Sequence, residues 1–294
     1  MHYGRLLKRF RESKKITQAQ LVDESITPQF LSKYENGKSD IKLSTFLILL
    51  DRLNVSIAEF NTELRGLEPS PQSKFLKELN QAKHSKNKIF LRDLIKQQKQ
   101  LSSKSQNPRY QHNIILANQM VCYISNQPYD SEQAEVISNY LKSVEHWGIY
   151  ELTLFGNSIF FFNTVQLNSF VSIILSKTNK YSAALRQKDE FAKIMLNMIN
   201  FCLFNDEIET SESLFVKLES ILKGKRYFYQ ENQLNYLYGI YYIQMNEVSK
   251  GKEYCDKAIE ILIHFKDYDS ANAKQEELDK LLESIGFYSN LSIT

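Results

Sequence analysis

Thr17-Gln18-Ala19-Gln20-Leu21, a short gap, then Phe30-Leu31-Ser32-Lys33-Tyr34-Glu35-Asn36-Gly37-Lys38 is the stretch on which the reading of the chain turns. Thr17 suits a helix N-cap, because its hydroxyl can accept from a free backbone N–H one turn on, and Thr27 is placed to do the same for a second helix. Asn36-Gly37 stops that second helix, since Gly occupies the left-handed region at no steric cost. The spacing predicts short helices over 18–24 and 27–34 with a tight turn between them. Before them, 5–14 sets Leu6, Leu7 and Phe10 on one face and basic residues on the other. After them, 43–53 is strongly apolar, and Ser56 with Glu59 makes a capping box that delivers Phe60 to a core. Five short helices are therefore expected within residues 1–65.

Gly66, Pro69 and Pro71 crowd the next few positions, and Pro disfavours helix at itself and at its predecessor, so 66–71 reads as a linker. Eleven helices are expected within 72–294, over 72–83, 87–102, 109–125, 130–145, 149–162, 166–178, 184–204, 208–223, 229–246, 249–265 and 269–285. Helix pairs starting near 109, 149, 184, 229 and 269 give a loose period of 35–45 residues, the mark of a helical solenoid. Gly239, Tyr242, Gly251 and Ala258 fall at the small and aromatic positions of a tetratricopeptide repeat. The expected class is all-α: an amino-terminal five-helix domain, then a superhelical array of tetratricopeptide-like helix pairs. An irregular helical bundle is the competing architecture.

Composition narrows the function. Nine Gly and five Pro among 294 residues, against 18 Phe and 17 Tyr, exclude a collagenous or low-complexity chain. The three Cys (Cys122, Cys202, Cys255) are scattered and odd in number, which points to reduced thiols rather than a disulfide framework. His2, His84, His112, His146 and His264 form no ligand pair at helical spacing, and neither a glycine-rich phosphate loop nor a nucleophile elbow occurs. No metal, no cofactor and no catalytic role are expected. No run reaches the roughly 18 apolar residues of a membrane span, so a cytosolic location is expected.

Charge is unevenly placed. Residues 1–38 carry eight Lys/Arg against four Asp/Glu, 39–65 three against four, 66–112 ten against three, and 113–294 sixteen against 23. The first third could hold a polyanion such as DNA, and the acidic remainder would avoid it. The basic run over 74–104 reads equally as an extension of that surface or as a solvated helix face.

The opening motif resembles the helix-turn-helix of the lambda-repressor-like (Xre) family over residues 3–63, with a turn one residue shorter than usual. In such a unit the second helix of the motif enters the major groove with its amino end at the base edges. That resemblance points to Thr27, Gln29, Phe30, Ser32 and Lys33 as residues facing bases, with Gln29 suited to adenine and Lys33 to guanine or phosphate. Thr17 and Gln18 would sit by a phosphate at the start of the preceding helix, Asn36 and Lys38 would hold the other side, and Arg11 with Glu35 would pair as a buried salt bridge.

With Val144-Glu145-His146-Trp147-Gly148-Ile149-Tyr150-Glu151-Leu152-Thr153-Leu154-Phe155-Gly156-Asn157 in an all-helical remainder, nearly the whole chain resembles the Rgg/GadR/MutR regulators. The resemblance implies a cytosolic homodimer that binds double-stranded promoter DNA and senses a short hydrophobic signalling peptide in the concave face of its repeats, as in quorum sensing. Some members of that group carry a Cys in the DNA-binding domain that links protomers. Here Ser44 and Thr45 stand in that region and no Cys precedes Cys122.

A solenoid exposes the first helix of each pair on its inner surface, where an extended peptide needs backbone partners and apolar pockets. Asn and Gln offer donor and acceptor together. The expected contacts are Gln233, Tyr236, Ile240 and Ile243, Asn157 with Phe161, and Asn197 with Asn200. Phe160-Phe161-Phe162 and Tyr236, Tyr238, Tyr241 and Tyr242 could stack a ligand or fill the core. The alternative is a repeat domain that is a protein-docking and dimerisation scaffold with no peptide ligand.

Overall fold

The computed structural model describes residues 2–23, 26–66, 68–177, 185–205, 207–223 and 227–286. Among these residues the chain forms sixteen α-helices and one 3-10 turn, with no strand, as the sequence predicts. By internal contacts it divides into two compact units, Met1–Gln81 and Ala82–Thr294.

The first unit holds α1 (Tyr3–Ser13), α2 (Gln18–Leu21), α3 (Pro28–Glu35), α4 (Leu43–Arg52), α5 (Ile57–Arg65) and most of α6 (Pro71–His84). The spacing that puts apolar residues on one face of each helix also builds the core, where Leu6, Leu7, Leu31, Leu49 and Leu53 are fully buried beside Phe46 and Phe60. Helix α2 ends at Leu21, and the expected end at Glu24 lies outside the described residues. Arg52 holds the chain just past it, donating to the Leu21 carbonyl at 3.0 Å and pairing with Asp23. Helices α1 and α3 touch backbone to backbone: a Cβ on Gly4 would lie 1.9 Å from the Tyr34 carbonyl oxygen. Only Gly permits that approach.

The second unit continues with α7 (Lys88–Ser102), α8 (Pro108–Ile124), α9 (Ser131–Ser143), α10 (Ile149–Gly156), α11 (Thr164–Lys177), α12 (Leu185–Phe204), α13 (Ile208–Leu222), α14 (Phe228–Gln244), α15 (Val248–His264) and α16 (Tyr268–Ser284). The stretch expected as one helix over 149–162 is α10 followed by a 3-10 turn at Ile159–Phe161. Helices α12 with α13 and α14 with α15 pack as the expected pairs. Earlier in the unit the pairing phase differs from the one expected: α7 packs on α8, and α10 packs on α12. At the α14–α15 seam Gly239 and Gly251 face each other, and a Cβ on Gly251 would meet the Gly239 carbonyl oxygen at 2.5 Å.

Core aromatics account for the Trp-containing segment. Trp147 is 2% exposed, donates its indole N–H to the Leu141 carbonyl at 2.9 Å, and packs against Phe155 and Phe170. The three thiols are free; Cys202 and Cys255 are buried, and burial pushes Cys202 up to about 11. No group of three His, Cys, Asp or Glu side chains fit for a metal occurs among the described residues, and no helix is long and apolar enough to cross a membrane.

Candidate functional site

The outer face of α3 is organised by its two ends. The Thr27 hydroxyl accepts from the Phe30 N–H at 3.2 Å, and Pro28 at the first helical position brings the right φ without losing a needed donor. At the other end Gly37 has φ +73°, its N–H reaches the Tyr34 carbonyl at 2.9 Å, and the Lys38 N–H reaches the Lys33 carbonyl at 2.8 Å. Those paired bonds are a Schellman closure. Between the ends, Leu31, Tyr34 and Glu35 point inward, Ser32 is half-buried, and Thr27, Gln29, Lys33, Asn36 and Lys38 are exposed. Gln29, Lys33 and Lys38 have no side-chain partner among the described residues and are free to meet a ligand.

Four of the expected contact residues are more occupied than their types suggest. The Phe30 ring is half-buried and packs on the core of the unit, so it seats α3 rather than standing out from it. Asn36 donates its side-chain N–H to the Ser32 carbonyl at 2.8 Å. Thr17 and Gln20 close a capping box: the Thr17 hydroxyl accepts from the Gln20 N–H at 3.2 Å, and the Gln20 amide oxygen accepts from the Thr17 N–H at 2.8 Å. Gln18 donates inward to Glu35 at 2.7 Å. What α2 leaves for an anion is the backbone N–H groups of Gln18 and Ala19, since those of Gln20 and Leu21 are bonded to Thr17.

Glu35 is the hub behind this face. It is fully buried and accepts from Arg11 Nε at 2.7 Å and from a terminal Arg11 nitrogen at 2.8 Å, so the pair is bidentate. Arg11 also donates to the Ile16 carbonyl at 2.9 Å, and the bonds from Glu35 hold its pKa above the ordinary value. One ion pair thus ties α1, α2 and α3 together.

In the second unit, α12, α14 and α16 enclose a cleft of about 260 Å³ lined by Lys193, Leu196, Asn197, Asn200, Tyr229, Gln233, Leu237, Lys274 and Glu277. Three expected contact residues, Asn197, Asn200 and Gln233, meet there. The other five do not. Tyr236 and Ile240 have no exposed surface, and Ile243 has 2%. Tyr236 and Ile243 are turned by about 60° and 80° from Gln233 toward the side of α14 that packs inward, whereas Tyr229, Gln233 and Leu237, four apart, keep to the cleft; Ile240 shares their side two turns along and is buried there. Phe161 is buried among Tyr129, Phe160 and Phe162. Asn157 closes the end of α10 by donating to the Thr153 carbonyl at 2.8 Å.

Sequence reasoning missed Lys193, Leu196, Tyr229 and Leu237 on the helices it had named, and Lys274 and Glu277 on α16, a helix from which it named no contact. The signal for these last two was present, because α16 opens the pair expected near 269. The Lys274 ammonium sits 3.7 Å from the centre of the Tyr236 ring, and burial lowers its pKa. Tyr236 in turn donates its hydroxyl to the Lys274 carbonyl at 2.8 Å. Lys193 pairs with Asp189 at 2.9 Å, while the Gln233 amide nitrogen is buried with no hydrogen-bond partner. Amides, an ammonium and a carboxylate on an apolar floor of Leu196 and Leu237 suit an extended backbone.

Two family profiles match the chain: "HTH-type transcriptional regulator Rgg, C-terminal domain" over residues 93–276, and a helix-turn-helix family over residues 7–60. Among solved structures, the SHP pheromone receptor Rgg2 of Streptococcus dysgalactiae is similar at 23% identity and TM-score 0.78, covering 95% of this chain and 99% of its own. A protein of Listeria monocytogenes EGD-e, described as a transcriptional regulator, matches at 21% identity and TM-score 0.86 over 97% of this chain and 99% of that one. PrgX, in its complex with cCF10, matches at 15% identity and TM-score 0.73 over 95% and 92%.

Proposed function

Since the chain belongs to the Rgg family of helix-turn-helix transcriptional regulators, a family of regulators rather than enzymes, we propose that a short apolar peptide bound in the α12–α14–α16 cleft controls its binding to promoter DNA. Residues 1–65 are the DNA-binding module, 66–71 the linker and 72–294 the sensing and dimerisation domain, and the protein works as a cytoplasmic homodimer. Gln29 and Lys33 read base edges from α3, while Lys38 and the backbone N–H groups of α2 hold phosphates. The two similar proteins named as a pheromone receptor and as a complex with cCF10 support a ligand of this class.

The observation that carries the peptide reading is the meeting of Asn197, Asn200 and Gln233, from two different helices, in one cleft whose Gln233 donor lacks a partner. Calorimetry with pooled synthetic apolar octapeptides tests it. Heat of binding is expected with the native chain, and Asn200→Ala or Gln233→Ala should weaken it about tenfold, the equivalent of one hydrogen bond of about 1.4 kcal/mol. No heat at high peptide concentration would leave the repeats as a docking scaffold.

A further inference from the structure

The sequence-level question left open by the basic run over 74–104 has an answer on α7. Lys88, Arg92, Lys96 and Lys99 follow one another at steps of four, four and three, so they share an arc of about 80° on the helix. All four are exposed, whereas Leu91, Leu94 and Gln98 on the opposite side are buried. None of the four makes an ion pair among the described residues, and none carries another side-chain partner. A merely solvated helix face interleaves acids with bases, because like charges four apart destabilise the helix. This stripe has no acid in its arc, and Asp93 is the single carboxylate against eight Lys/Arg over residues 82–112.

A second observation lies at the carboxyl end of the stripe. Lys99 lines a cleft of about 560 Å³ with Ser102, Ser103, Gln111, Ile114, Asn118 and Gln133, a wall mostly of hydroxyls and amides with no carboxylate among the lining residues. Ser103, Asn118 and Gln133 already donate to the Gln100 carbonyl, Gln133 and Asp130, which leaves Ser102 and Gln111 beside the Lys99 ammonium as donors suited to a phosphate oxygen.

We propose that the outer face of α7 and this polar cleft form a second contact for duplex DNA, sequence-independent and made to its phosphates. From Lys88 to Lys99 the helix rises about 16 Å, a length over which a duplex presents about ten phosphates. An anionic membrane fits less well, since interfacial helices sink an apolar face into the bilayer, and the apolar face of α7 is buried in the fold. The inference rests on the reading that the chain binds DNA and is independent of the peptide.

The test uses the full chain and a random-sequence duplex of about 60 base pairs, with affinity followed by fluorescence anisotropy from 50 to 300 mM salt; each phosphate contact adds about 0.9 to the salt slope. Replacing Lys88, Arg92, Lys96 and Lys99 together by Gln, which keeps helix propensity, should lower the slope by about two to four. Lys88→Arg, Lys96→Arg and Lys99→Arg together should keep the native slope, which a packing role for the lysines would not predict. An unchanged slope in the Gln variant overturns the proposal, and so does a loss confined to phosphatidylglycerol vesicles. If the Gln variant keeps its slope while Lys33→Gln with Lys38→Gln lowers it, the α3 reading stands and this one falls. If the native chain fails to bind the duplex at 50 mM salt, both fall.

Discussion

Replacing Glu35 by Leu is the sharpest perturbation of the amino-terminal unit. Glu35 is fully buried and receives three hydrogen bonds, two from Arg11 and one from Gln18. With Leu there, the Arg11 guanidinium, in a residue only 7% exposed, keeps the Ile16 carbonyl and a looser pairing with Glu12 at 3.5 Å. Orphaning one member of a buried pair costs about 3–5 kcal/mol. A unit of this size has about 4–12 kcal/mol of stability at the usual 0.05–0.15 per residue, so the loss takes from about a quarter of it to all of it. Hydrogen exchange read by mass spectrometry on peptides from α1 and α3 reports that local free energy. Glu35→Leu should collapse protection in both helices and abolish DNA retention. Arg11→Met with Glu35→Leu should return to within about 1.5 kcal/mol of the native chain, because the stranded charge is gone and the volume is filled. A single-variant effect below about 1 kcal/mol would refute the claim that this pair locks the three helices. A double variant as damaged as the single would show that the bonds themselves, rather than the stranded charge, carry the effect.

On a selected operator Gln29→Ala should cost about 1–3 kcal/mol and relax sequence preference, whereas Lys38→Ala should weaken all duplexes alike and lower the salt slope by about one; equal losses on operator and random DNA for both would count against α3 as the reader. Gly239→Ala places a Cβ 2.4 Å from Cys255 Sγ and 2.7 Å from the Gly251 carbonyl oxygen, so α14 and α15 must part. Even with about 1 kcal/mol returned by helix propensity, a net loss of about 1–3 kcal/mol should appear as a lower thermal midpoint, and an unchanged midpoint would contradict the close seam. His112 is 3% exposed beside the Tyr150 hydroxyl at 2.8 Å, and burial holds its pKa at about 4, below the ordinary 6.5. Its neutral form therefore adds stability that is complete above pH 6.5 and is lost as pH falls from 6.5 towards 4, about 3 kcal/mol at 1.36 per unit. Urea midpoints should fall faster with acid in the native chain than in His112→Gln, and parallel curves would sink the assignment.

Local chemistry made the amino-terminal unit legible. Thr17, Thr27 and Ser56 each accept the N–H that a cap should accept, and Gly37 closes α3 as its position foretells. Other helix ends gave weaker signals. Lys15, Lys86 and Lys266 adopt left-handed conformations without Gly or Asn to announce them, so boundaries there had to be read from apolar periodicity alone. Site residues were harder still. Type identified Asn197, Asn200 and Gln233, but phase placed Tyr236 and Ile240 beside them, and no periodicity distinguishes the cleft face of α14 from its packing face when both are aromatic and apolar. Thr17 and Gln18 show a complementary point: a polar residue at a helix start also serves its own fold.

Helix α14 is also where the described fold concentrates unmet hydrogen-bonding capacity. The Asn232 amide oxygen, the Gln233 amide nitrogen and the Gln244 amide oxygen are all buried without partners. Asn232 and Gln244 are otherwise committed, through their nitrogens, to the Ala258 and Leu203 carbonyls at 2.9 and 2.5 Å. Gln233 has no such anchor, and it alone of the three lines the cleft. An orphaned buried donor costs about 1–3 kcal/mol until something accepts from it. A ligand shifts a conformational equilibrium only by the difference in its affinities for the two states. Apolar surface on Leu196 and Leu237 could be covered in either state, but a carbonyl brought to Gln233 relieves a penalty specific to the arrangement of α12, α14 and α16 described above. On the proposed reading, the control of DNA binding by peptide resides in that amide more than in the apolar floor. Gln233→Leu should then still bind apolar peptides, about tenfold more weakly, while removing their effect on DNA retention even at saturating peptide, and a variant that still responded would show that the switch lies elsewhere.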